Sequence, residues 1–392
     1  MSEPLHILFL ASWYPNPDEP QNGNFIERHA QAVGRRAKVA VLYVHAMTST
    51  NNFQVEITNN QYITECRVFF PKTPRYQLFQ KLANYKKAHH TGYQALLKEF
   101  GHFDICHLNV FYPAGIFALT LKKKYKIPIV ITEHWTKFLP INPATFNFHE
   151  KYIISKTGQA AAMICPVSND LKKAIQKLVP HNRYEVIPNV VDIDLFKVRL
   201  PYSNNRPIRI LHISTLNDTH KNTSGMLRVL AKIFKQRTDC TATFIGNHYG
   251  DHFIKMAKSL DIPEDRLTIL PEIPLEEIAE KMTEHDLFLL FSNFENLPCV
   301  ISESLVAGLP VIASNVGGVS EMITSQNGRM VPSGDEQALE KSLHEMINQI
   351  NDFDPETLSK NARDKYGYQA VAERYLAIYK NIRNSSGASF PK

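Results

Sequence analysis

The sequence predicts an α/β protein with two Rossmann-like lobes and an interdomain cleft. Its 392 residues suit two domains better than one. Short apolar runs alternate with helical stretches along the chain, as doubly wound parallel sheets require. The alternation is interrupted once, near the middle of the chain, by a run of turn-forming residues. These residues are Pro201, Ser203, Asn204, Asn205 and Pro207.

The predicted strands form two series, one on each side of that interruption. Apolar runs without strict alternation are typical of strands that are buried on both faces of a parallel sheet. The first series covers residues 7–10, 39–43, 105–108, 129–132 and 163–167. The second series covers residues 208–213, 241–245, 267–269, 287–291 and 311–313.

The two series set the expected domain boundaries. The first lobe is predicted at residues 1–195, the linker at 196–207 and the second lobe at 208–370. Tyr and Leu recur at helical spacing over residues 360–382, which predicts one helix there. Residues 371–392 are accordingly expected to form a C-terminal helix and tail.

Composition excludes several classes of protein. No apolar run approaches the roughly 18 residues of a transmembrane helix, and residues 5–11 suit a first strand better than a signal peptide. The five cysteines are scattered and odd in number, which favours reduced thiols in the cytoplasm. No Gly-x-Gly-x-x-Gly, zinc spacing or Gly-x-Ser-x-Gly elbow occurs, and no nucleic-acid partner is expected.

Positive charge is concentrated in the first half of the chain. Residues 1–196 contain 22 Lys and Arg against 14 Asp and Glu, whereas residues 197–392 contain 22 against 24. Residues 75–100 combine apolar residues at roughly helical spacing with lysines, as in basic helices that lie on anionic lipid. The basic first lobe therefore predicts peripheral membrane contact. A core-facing helix with a solvated basic face is the alternative.

Two carboxylates, Glu295 and Glu303, lie eight positions apart in a predicted strand–loop–helix unit. Glu295 follows the strand at 287–291, and Glu303 lies early in a helix that Pro298 would begin and Gly308 would end. Open α/β sheets bind ligands beyond the carboxyl ends of their strands. A carboxylate there accepts two hydroxyl hydrogen bonds, so ribose and hexose diols are natural partners.

Residues 294–321 resemble the donor-binding signature of the retaining glycosyltransferases of family four, which have the GT-B fold. That signature is a Glu, seven residues and a second Glu, followed by Gly-Leu-Pro-Val-(Val/Ile)-Ala-Ser and a Gly-Gly-x-x-Glu turn. Here the run from Gly308 to Ser314 and the turn from Gly317 to Glu321 match in order. The resemblance implies that the second lobe binds a nucleotide-diphosphate sugar, with no metal or other cofactor. It also implies that the last helix crosses back onto the first lobe.

The resemblance assigns roles to residues of the second lobe. Glu303 would bind the ribose hydroxyls, Glu295 the donor sugar and Lys221 the diphosphate. Three residues would approach the sugar through their backbone: Asn296, Leu297 and Pro298. The other matched positions of this lobe are Gly246, near the nucleobase, and the Gly317–Gly318 turn.

One position departs from the family pattern. Thr215 occupies the place of an arginine that clamps the diphosphate, and it cannot supply a bidentate cationic fork. Either Lys221 suffices together with nearby helix N-termini, or another cation such as Arg209 or His220 takes over. The sequence leaves both alternatives open.

In the first lobe, Gly23 and Asn24 lie between the first strand and a helix that starts near residue 26. A glycine at such a turn lets the backbone approach a pyrophosphate. His134 belongs to a segment that resembles the family's Thr-x-His, which implies a hydrogen bond to a donor-sugar hydroxyl. Asn109 replaces the second histidine of the family's His-x-His, and it either touches the acceptor or only shapes the loop.

The resemblance implies a retaining hexosyltransferase that uses a UDP- or GDP-linked sugar and a glycan or lipid-linked acceptor. Surface polysaccharide biosynthesis in the cytoplasm, at the inner face of the membrane, is the expected setting. In front-face displacement the leaving phosphate takes the acceptor proton, so the protein positions the reactants. The alternatives are a nucleotide-sugar 2-epimerase, an inverting transferase with His134 or a neighbouring carboxylate as base, and a catalytically silent binding protein, which the loss of arginine at Thr215 favours.

Overall fold

The computed structural model describes residues 4–74, 76–140, 145–180, 183–247 and 251–385. The chain divides into two compact units. The first contains the residues up to Val190 together with those from Tyr368 onward, and the second is Val191–Gly367. The segment predicted as a linker, 196–207, groups with the second unit. Among the described residues, no helix combines the length and apolar character that a membrane-spanning segment needs.

The first unit contains a seven-stranded sheet in the order β3-β4-β2-β1-β5-β6-β7. Its strands are β1 His6–Ala11, β2 Lys38–Met47, β3 Gln54–Asn59, β4 Ile63–Pro71, β5 Ile105–Asn109, β6 Ile129–Glu133 and β7 Met163–Pro166. Neighbouring strands are parallel, except that β3 runs antiparallel to β4. The strand order reverses beside β1, and the register aligns Ala11 with Asn109 and Asn109 with Thr132. The ends of β1, β5 and β6 therefore meet at one edge.

Helices connect these strands. They are α1 Asn24–Gly34, α2 Leu78–Phe100, α3 Gly115–Tyr125, α4 Phe148–Ala160 and α5 Asn169–Gln176, with a 3-10 turn at Thr136–Phe138. Side chains cap two of them at their N-termini, where backbone N–H groups lack helical partners. Asn147 and Glu150 form a reciprocal capping box on α4, and Ser168 accepts a hydrogen bond from the Leu171 N–H on α5.

The second unit contains a six-stranded, wholly parallel sheet in the order β10-β9-β8-β11-β12-β13. Its strands are β8 Ile208–Ile213, β9 Cys240–Ile245, β10 Leu267–Leu270, β11 Leu287–Leu290, β12 Val311–Ser314 and β13 Gly328–Val331. The helices are α6 Asp218–Lys221, α7 Thr223–Gln236, α8 Asp251–Ser259, α9 Leu275–Glu284, α10 Cys299–Val306, α11 Glu336–Asn348 and α12 Pro355–Tyr366. The strand order reverses between β8 and β11, the point where such sheets bind ligands.

Both units have the predicted doubly wound α/β architecture, and each of the ten predicted strands is a strand. The single helix predicted for residues 360–382 is wrong. It is two helices, α12 and α13 (Tyr368–Ser385), separated by Gly367, whose ψ of 162° is extended. A Cβ on Gly367 would lie 2.6 Å from the carbonyl oxygen of Arg363, so the chain turns where a side chain would not fit. The break coincides with the boundary between the two units.

A chain of buried hydrogen bonds joins α13 to the first sheet, as the resemblance implied for the last helix. The Tyr379 hydroxyl lies 2.5 Å from Nδ1 of His107, whose Nε2 lies 2.7 Å from Oγ1 of Thr132. That same Oγ1 lies 2.8 Å from the Tyr375 hydroxyl, which is 3.4 Å from Nδ1 of His29. Burial lowers the pKa of His29 to about 3 and that of His107 well below its usual value, so both imidazoles are neutral.

The first residues of the second unit are held by a buried carboxylate, Asp286, at the start of β11. Arg206 donates to both its oxygens, over 2.6 and 2.9 Å, and the Arg209 N–H donates over 2.9 Å. The Arg199 guanidinium lies 3.7 Å away. Because a buried charge is costly unless it is paired and hydrogen-bonded, these contacts fasten residues 199–206 to the sheet.

Replacing Tyr375 by Phe tests the hydrogen-bond chain. The hydroxyl that joins Thr132 to His29 is removed while the ring is kept, so the first unit should lose about 1–3 kcal/mol of unfolding free energy. Urea unfolding followed by tryptophan emission measures this loss, because both tryptophans of the chain lie in the first unit. Tyr152→Phe, at a ring that is 53% exposed, is the control. Equal stability of the two variants would contradict the assigned role.

Candidate functional site

The residues predicted to bind the diphosphate and the sugar, Lys221 and Glu295, lie together where the strand order of the second unit reverses. Lys221 ends the short helix α6 after β8, and Glu295 lies in the loop after β11. The Lys221 ammonium is 2.5 Å from Oε1 of Glu295, and the Ser292 hydroxyl donates to the same oxygen over 2.7 Å. Both charged side chains are largely buried. The sequence reasoning named both charges but missed Ser292, which orients the carboxylate.

Backbone contacts bring these two loops together. The Asn293 N–H donates to the carbonyl oxygen of His220 over 2.8 Å, and its side-chain amide donates to that of Thr219 over 2.9 Å. The His220 ring stands 4.3 Å from the ring of Phe294. The helix that carries Lys221 is therefore docked on the loop that carries Glu295, and the short distance between their charges follows from this docking.

The Gly317–Gly318 turn packs directly against the Glu295 backbone. Gly317 has a φ of +52°, and a Cβ there would lie 1.9 Å from the carbonyl oxygen of Glu295. The Gly318 N–H donates to the carbonyl oxygen of Asn296 over 2.8 Å. Only glycine permits this approach. Since the Gly318 N–H is engaged, it supports the loop rather than facing a ligand.

The end of β8 is shaped by its neighbours. A Cβ on Gly246 would lie 2.0 Å from the carbonyl oxygen of Ser214, so the glycine makes room for the loop after β8. The Ser214 hydroxyl lies 2.8 Å from Nε2 of the buried His212 and accepts the Leu216 N–H over 2.9 Å. Thr215 stands exposed at this edge.

The remaining predicted residues of the second unit surround α10. Pro298, with a φ of −67°, precedes the helix, and Leu297 and Asn296 before it are buried. Glu303 is buried in the second turn, between two other buried polar residues, Ser302 and Ser304. The helix begins at the same edge as Glu295, and the role of Glu303 toward ribose stays a prediction.

Arg209 does not replace the missing arginine, and that alternative is wrong. It is the second residue of β8, four residues before its end, which is about 13 Å along a strand. Its guanidinium donates to the carbonyl oxygen of Glu284 at the opposite edge of the sheet. His220, beside Lys221, is the alternative cation that lies at the site.

In the first unit, Gly23 forms the turn between β1 and α1. It occupies the N-cap with a φ of +69°, and a Cβ there would lie 2.6 Å from the carbonyl carbon of Trp13. Asn24 begins α1, and its side-chain amide lies 3.3 Å from Oε1 of Gln21. Both predicted residues thus lie after β1, on the edge where β5 and β6 also end.

His134 follows β6 at this same edge. Its ring is 4.3 Å from that of Phe25 and 5.5 Å from that of His29. Burial holds its pKa well below the usual value, and His29 and His107 lower it further, so the imidazole is neutral near pH 7. The side chain of Asn189 opposes this shift and raises the pKa of His134. Asn189 lies 55 positions after His134, so its influence on this histidine had no signal in the sequence.

Asn109 is the last residue of β5 and is fully buried. Its side-chain amide donates to the carbonyl oxygen of His107 over 3.1 Å. No described residue hydrogen-bonds to its Oδ1. This geometry shapes the end of the strand, and contact with an acceptor stays a prediction.

Glu133, at the end of β6, is a buried carboxylate that the sequence analysis left without a role. Its Oε2 accepts the Phe111 N–H over 2.9 Å, and its Oε1 accepts those of His134 and Trp135 over 2.8 and 2.7 Å. Burial raises its pKa to about 7, although the three hydrogen bonds oppose that rise. The signal in the sequence was a charged residue at the end of an otherwise apolar strand.

The described residues contain no cluster of three or more His, Cys, Asp or Glu side chains arranged as a metal site. The polar groups at the carboxyl ends of the strands, taking each unit by itself, are instead one close ion pair, neutral imidazoles and backbone groups. Such groups suit hydrogen bonding to hydroxyls and attraction of an anion.

Comparisons with known proteins agree with this geometry. The family model described as "Glycosyltransferase Family 4" matches residues 24–195, and that described as "Glycosyl transferases group 1" matches residues 201–365. An amylovoran biosynthesis glycosyltransferase, AmsK of Erwinia amylovora, is 30% identical over 217 residues, which are 52% of each chain. The chain thus spans about half the length of that relative. The N-acetyl-alpha-D-glucosaminyl L-malate synthase of Bacillus anthracis is 26% identical over 71% of this chain and 74% of its own.

Solved structures share the fold of the whole chain. Sucrose-phosphate synthase from Thermosynechococcus elongatus superimposes with a TM-score of 0.75 at 17% identity, covering 97% of this chain and 100% of its own. HepE from Anabaena, in complex with UDP, superimposes with a TM-score of 0.68 at 16% identity, covering 96% and 100%.

Two glycines with positive φ provide a matched test of the turn beside Glu295. Gly317→Ala forces a Cβ against the Glu295 carbonyl, whereas no atom lies within 4 Å of a Cβ on Gly334, whose φ is +74°. Both variants should lose about 1–2 kcal/mol from the left-handed backbone conformation, and Gly317→Ala should lose more because of the clash. Urea unfolding followed by far-UV circular dichroism measures the difference. Equal losses of unfolding free energy in the two variants would show that the loop of Glu295 shifts to accommodate the added Cβ without a measurable energetic cost.

Proposed function

The chain belongs to glycosyltransferase family four, with the GT-B fold, and we propose that it moves a hexose-type sugar with retention of configuration. The donor is a UDP- or GDP-linked sugar, and the acceptor is a glycan or a lipid-linked saccharide. The observation that carries the proposal is the Lys221–Glu295 pair at the strand-order reversal of the second unit. It sets a cation for a diphosphate beside a carboxylate for sugar hydroxyls.

The donor site follows from what each group can bind. Lys221 is a compact cation that suits a diphosphate, and Glu295 accepts hydroxyl hydrogen bonds from the sugar. Glu303 is proposed to accept those of the ribose. The proposed reaction uses the nucleotide sugar as co-substrate and requires no metal. The UDP and UDP-glucose complexes of HepE support a uridine nucleotide over a guanosine nucleotide.

Retention is supported by the state of His134. A general base is most effective when its pKa lies near the working pH, and burial keeps the pKa of His134 well below that range. A neutral imidazole instead suits a hydrogen bond to a hydroxyl of the donor sugar. The acceptor proton is then transferred to the departing diphosphate, as front-face displacement requires.

Polysaccharide biosynthesis is proposed as the setting. The names of two relatives support it: AmsK is an amylovoran biosynthesis glycosyltransferase, and TuaC of Bacillus subtilis is a putative teichuronic acid biosynthesis glycosyltransferase. TuaC is 21% identical over 88% of this chain and 90% of its own. We place the enzyme in the cytoplasm, at the inner face of the membrane.

Thermal unfolding with UDP, GDP, ADP and NAD tests the donor site. A ligand at about a hundred times its dissociation constant adds about 2.7 kcal/mol, which raises the melting temperature by several degrees. One of the nucleoside diphosphates should raise the melting temperature of the wild type, and Glu303→Gln should abolish this rise. Glu295→Gln should keep most of the shift but lower release of UDP from UDP-glucose about a hundredfold. Glu276→Gln, at an exposed site on α9, is the control.

The remaining outcomes separate the alternatives. A shift without turnover of any UDP- or GDP-linked hexose would indicate a silent binding protein, with Thr215 as the reason. Epimerised nucleotide sugar would indicate a 2-epimerase. An inverted anomeric configuration in the product, read by NMR, would contradict retention. Unchanged turnover in Glu295→Gln would show that the sugar is bound elsewhere.

Membrane contact is proposed at the start of α2. Phe79 is 93% exposed, Tyr76 83% and Leu78 68%. Residues 66–98 contain seven Lys or Arg and no Asp or Glu, so the charge of this surface complements anionic lipid. All five lysines in this range are exposed: Lys72, Lys81, Lys86, Lys87 and Lys98. Large apolar side chains among lysines are typical of segments that lie in the headgroup region.

Sedimentation with vesicles tests this surface. The wild type should bind vesicles that contain phosphatidylglycerol, less so in high salt, and should not bind phosphatidylcholine alone. The double variant Leu78→Ser, Phe79→Ser should bind at least about tenfold more weakly, because the two exposed apolar side chains proposed to enter the membrane are lost. Phe148→Ser, at a ring 78% exposed on α4, is the control. An equal loss in the control, or no binding by the wild type, would contradict the proposal.

A further inference from the structure

We propose that Glu133 positions His134 and Trp135 for sugar binding by fastening the loop after β6 to the loop after β5. The proposal rests on the proposed function, which sets the donor sugar beside His134. Glu133 itself is too deeply buried to touch a substrate. It is therefore a positioning residue and not a catalytic one.

The carboxylate holds both loops at once. Oε1 accepts the N–H groups of His134 and Trp135, and Oε2 accepts that of Phe111, 22 residues earlier in the chain. The three donors belong to the backbone, so the bonds fix the path of each loop rather than the pose of one side chain. Because a single carboxylate bridges them, the two loops keep a fixed spacing at the edge of the sheet.

A carboxylate is the group that this position requires. In its ionised form it offers two acceptor oxygens, whereas a glutamine of the same size offers one oxygen and one donating NH2 group. All three hydrogen bonds of Glu133 come from backbone N–H groups, and no ion pair compensates it among the described residues. Burying a carboxylate without a counterion is costly. The three backbone N–H groups stabilise the buried carboxylate, and the carboxylate in turn fixes the position of these backbone groups.

The ordered loop carries an imidazole and an indole at the end of β6. The Trp135 ring lies 5.8 Å from that of Trp13, and the His134 ring lies 4.3 Å from that of Phe25. Trp13 and Trp135 are the two tryptophans of the chain, and both are half-buried. A shift of the loop would move the imidazole and an indole together. In the folded protein, tryptophan emission therefore reports on the edge of the sheet where β1 and β6 end.

Glu133→Gln tests the proposal, with Asp104→Asn as the matched control. Asp104 is also a buried carboxylate of the first sheet, but it accepts the His6 N–H over 2.8 Å at the opposite edge. Glu133→Gln should change tryptophan emission and lower kcat for UDP release from UDP-glucose about ten- to hundredfold. The KM for the donor and the thermal shift with UDP should stay within about twofold of the wild type. Asp104→Asn should resemble the wild type in emission and kcat.

Wild-type emission and kcat in Glu133→Gln would overturn the proposal, as would an equal loss of kcat in Asp104→Asn. Glu133→Asp keeps the charge but reaches only one loop, so it should fall between the wild type and Glu133→Gln. It provides the measurement if the Gln variant does not fold. His134→Ala separates the two proposals. If His134→Ala retains full kcat, the proposed role of His134 in sugar binding is wrong. If His134→Ala loses kcat but Glu133→Gln retains it, only the positioning role of Glu133 is wrong.

Discussion

The first unit depends on the hydrogen-bond chain that its last helix closes. Two buried imidazoles, His107 and His29, obtain partners from tyrosine hydroxyls that lie more than 270 positions later in the chain. A buried polar group without a partner costs about 1–3 kcal/mol, so the sheet is not complete without α13. His29 in turn lies beside His134. The helix that completes the fold of this unit therefore also supports the residue proposed to bind the donor sugar.

The second unit reaches its site by a different route, through close backbone approach. Its residues are continuous in sequence, and its loops are held by carbonyl oxygens and by glycines at positions where a Cβ would collide. The Lys221–Glu295 pair forms on this frame, where the hydrogen bonds of Asn293 to Thr219 and His220 hold the two loops together. A lysine held in place by a neighbouring carboxylate loses less side-chain freedom when an anion binds. In the proposed donor site, this ordering of Lys221 offsets part of what an arginine in place of Thr215 would contribute.

Most of the fold was predictable because buried parallel strands give continuous apolar runs. Three strands were missed. Every residue of β3 is exposed, β13 is four residues long and begins with glycine, and the apolar residues of the buried strand β4 are interrupted by Glu65 and Arg67. The helix break at Gly367 was missed because the apolar spacing continues through it. Arg209 was misplaced because its distance in sequence says nothing about which edge of the sheet it occupies. The contacts of Glu133 were not predictable, since they depend on a backbone N–H 22 residues away.

The protonation states in the first unit bear on the course of the reaction. An inverting transferase requires a base that takes the acceptor proton, and two titratable groups of the first unit, Glu133 and His134, lie where β6 ends. His134 is a weak base, because burial lowers its pKa far below neutrality. Glu133 has a pKa of about 7, but both its oxygens are buried and occupied by backbone N–H groups. Neither group is therefore an effective base for an acceptor, which is consistent with the proposed retaining reaction, in which the departing diphosphate takes the acceptor proton.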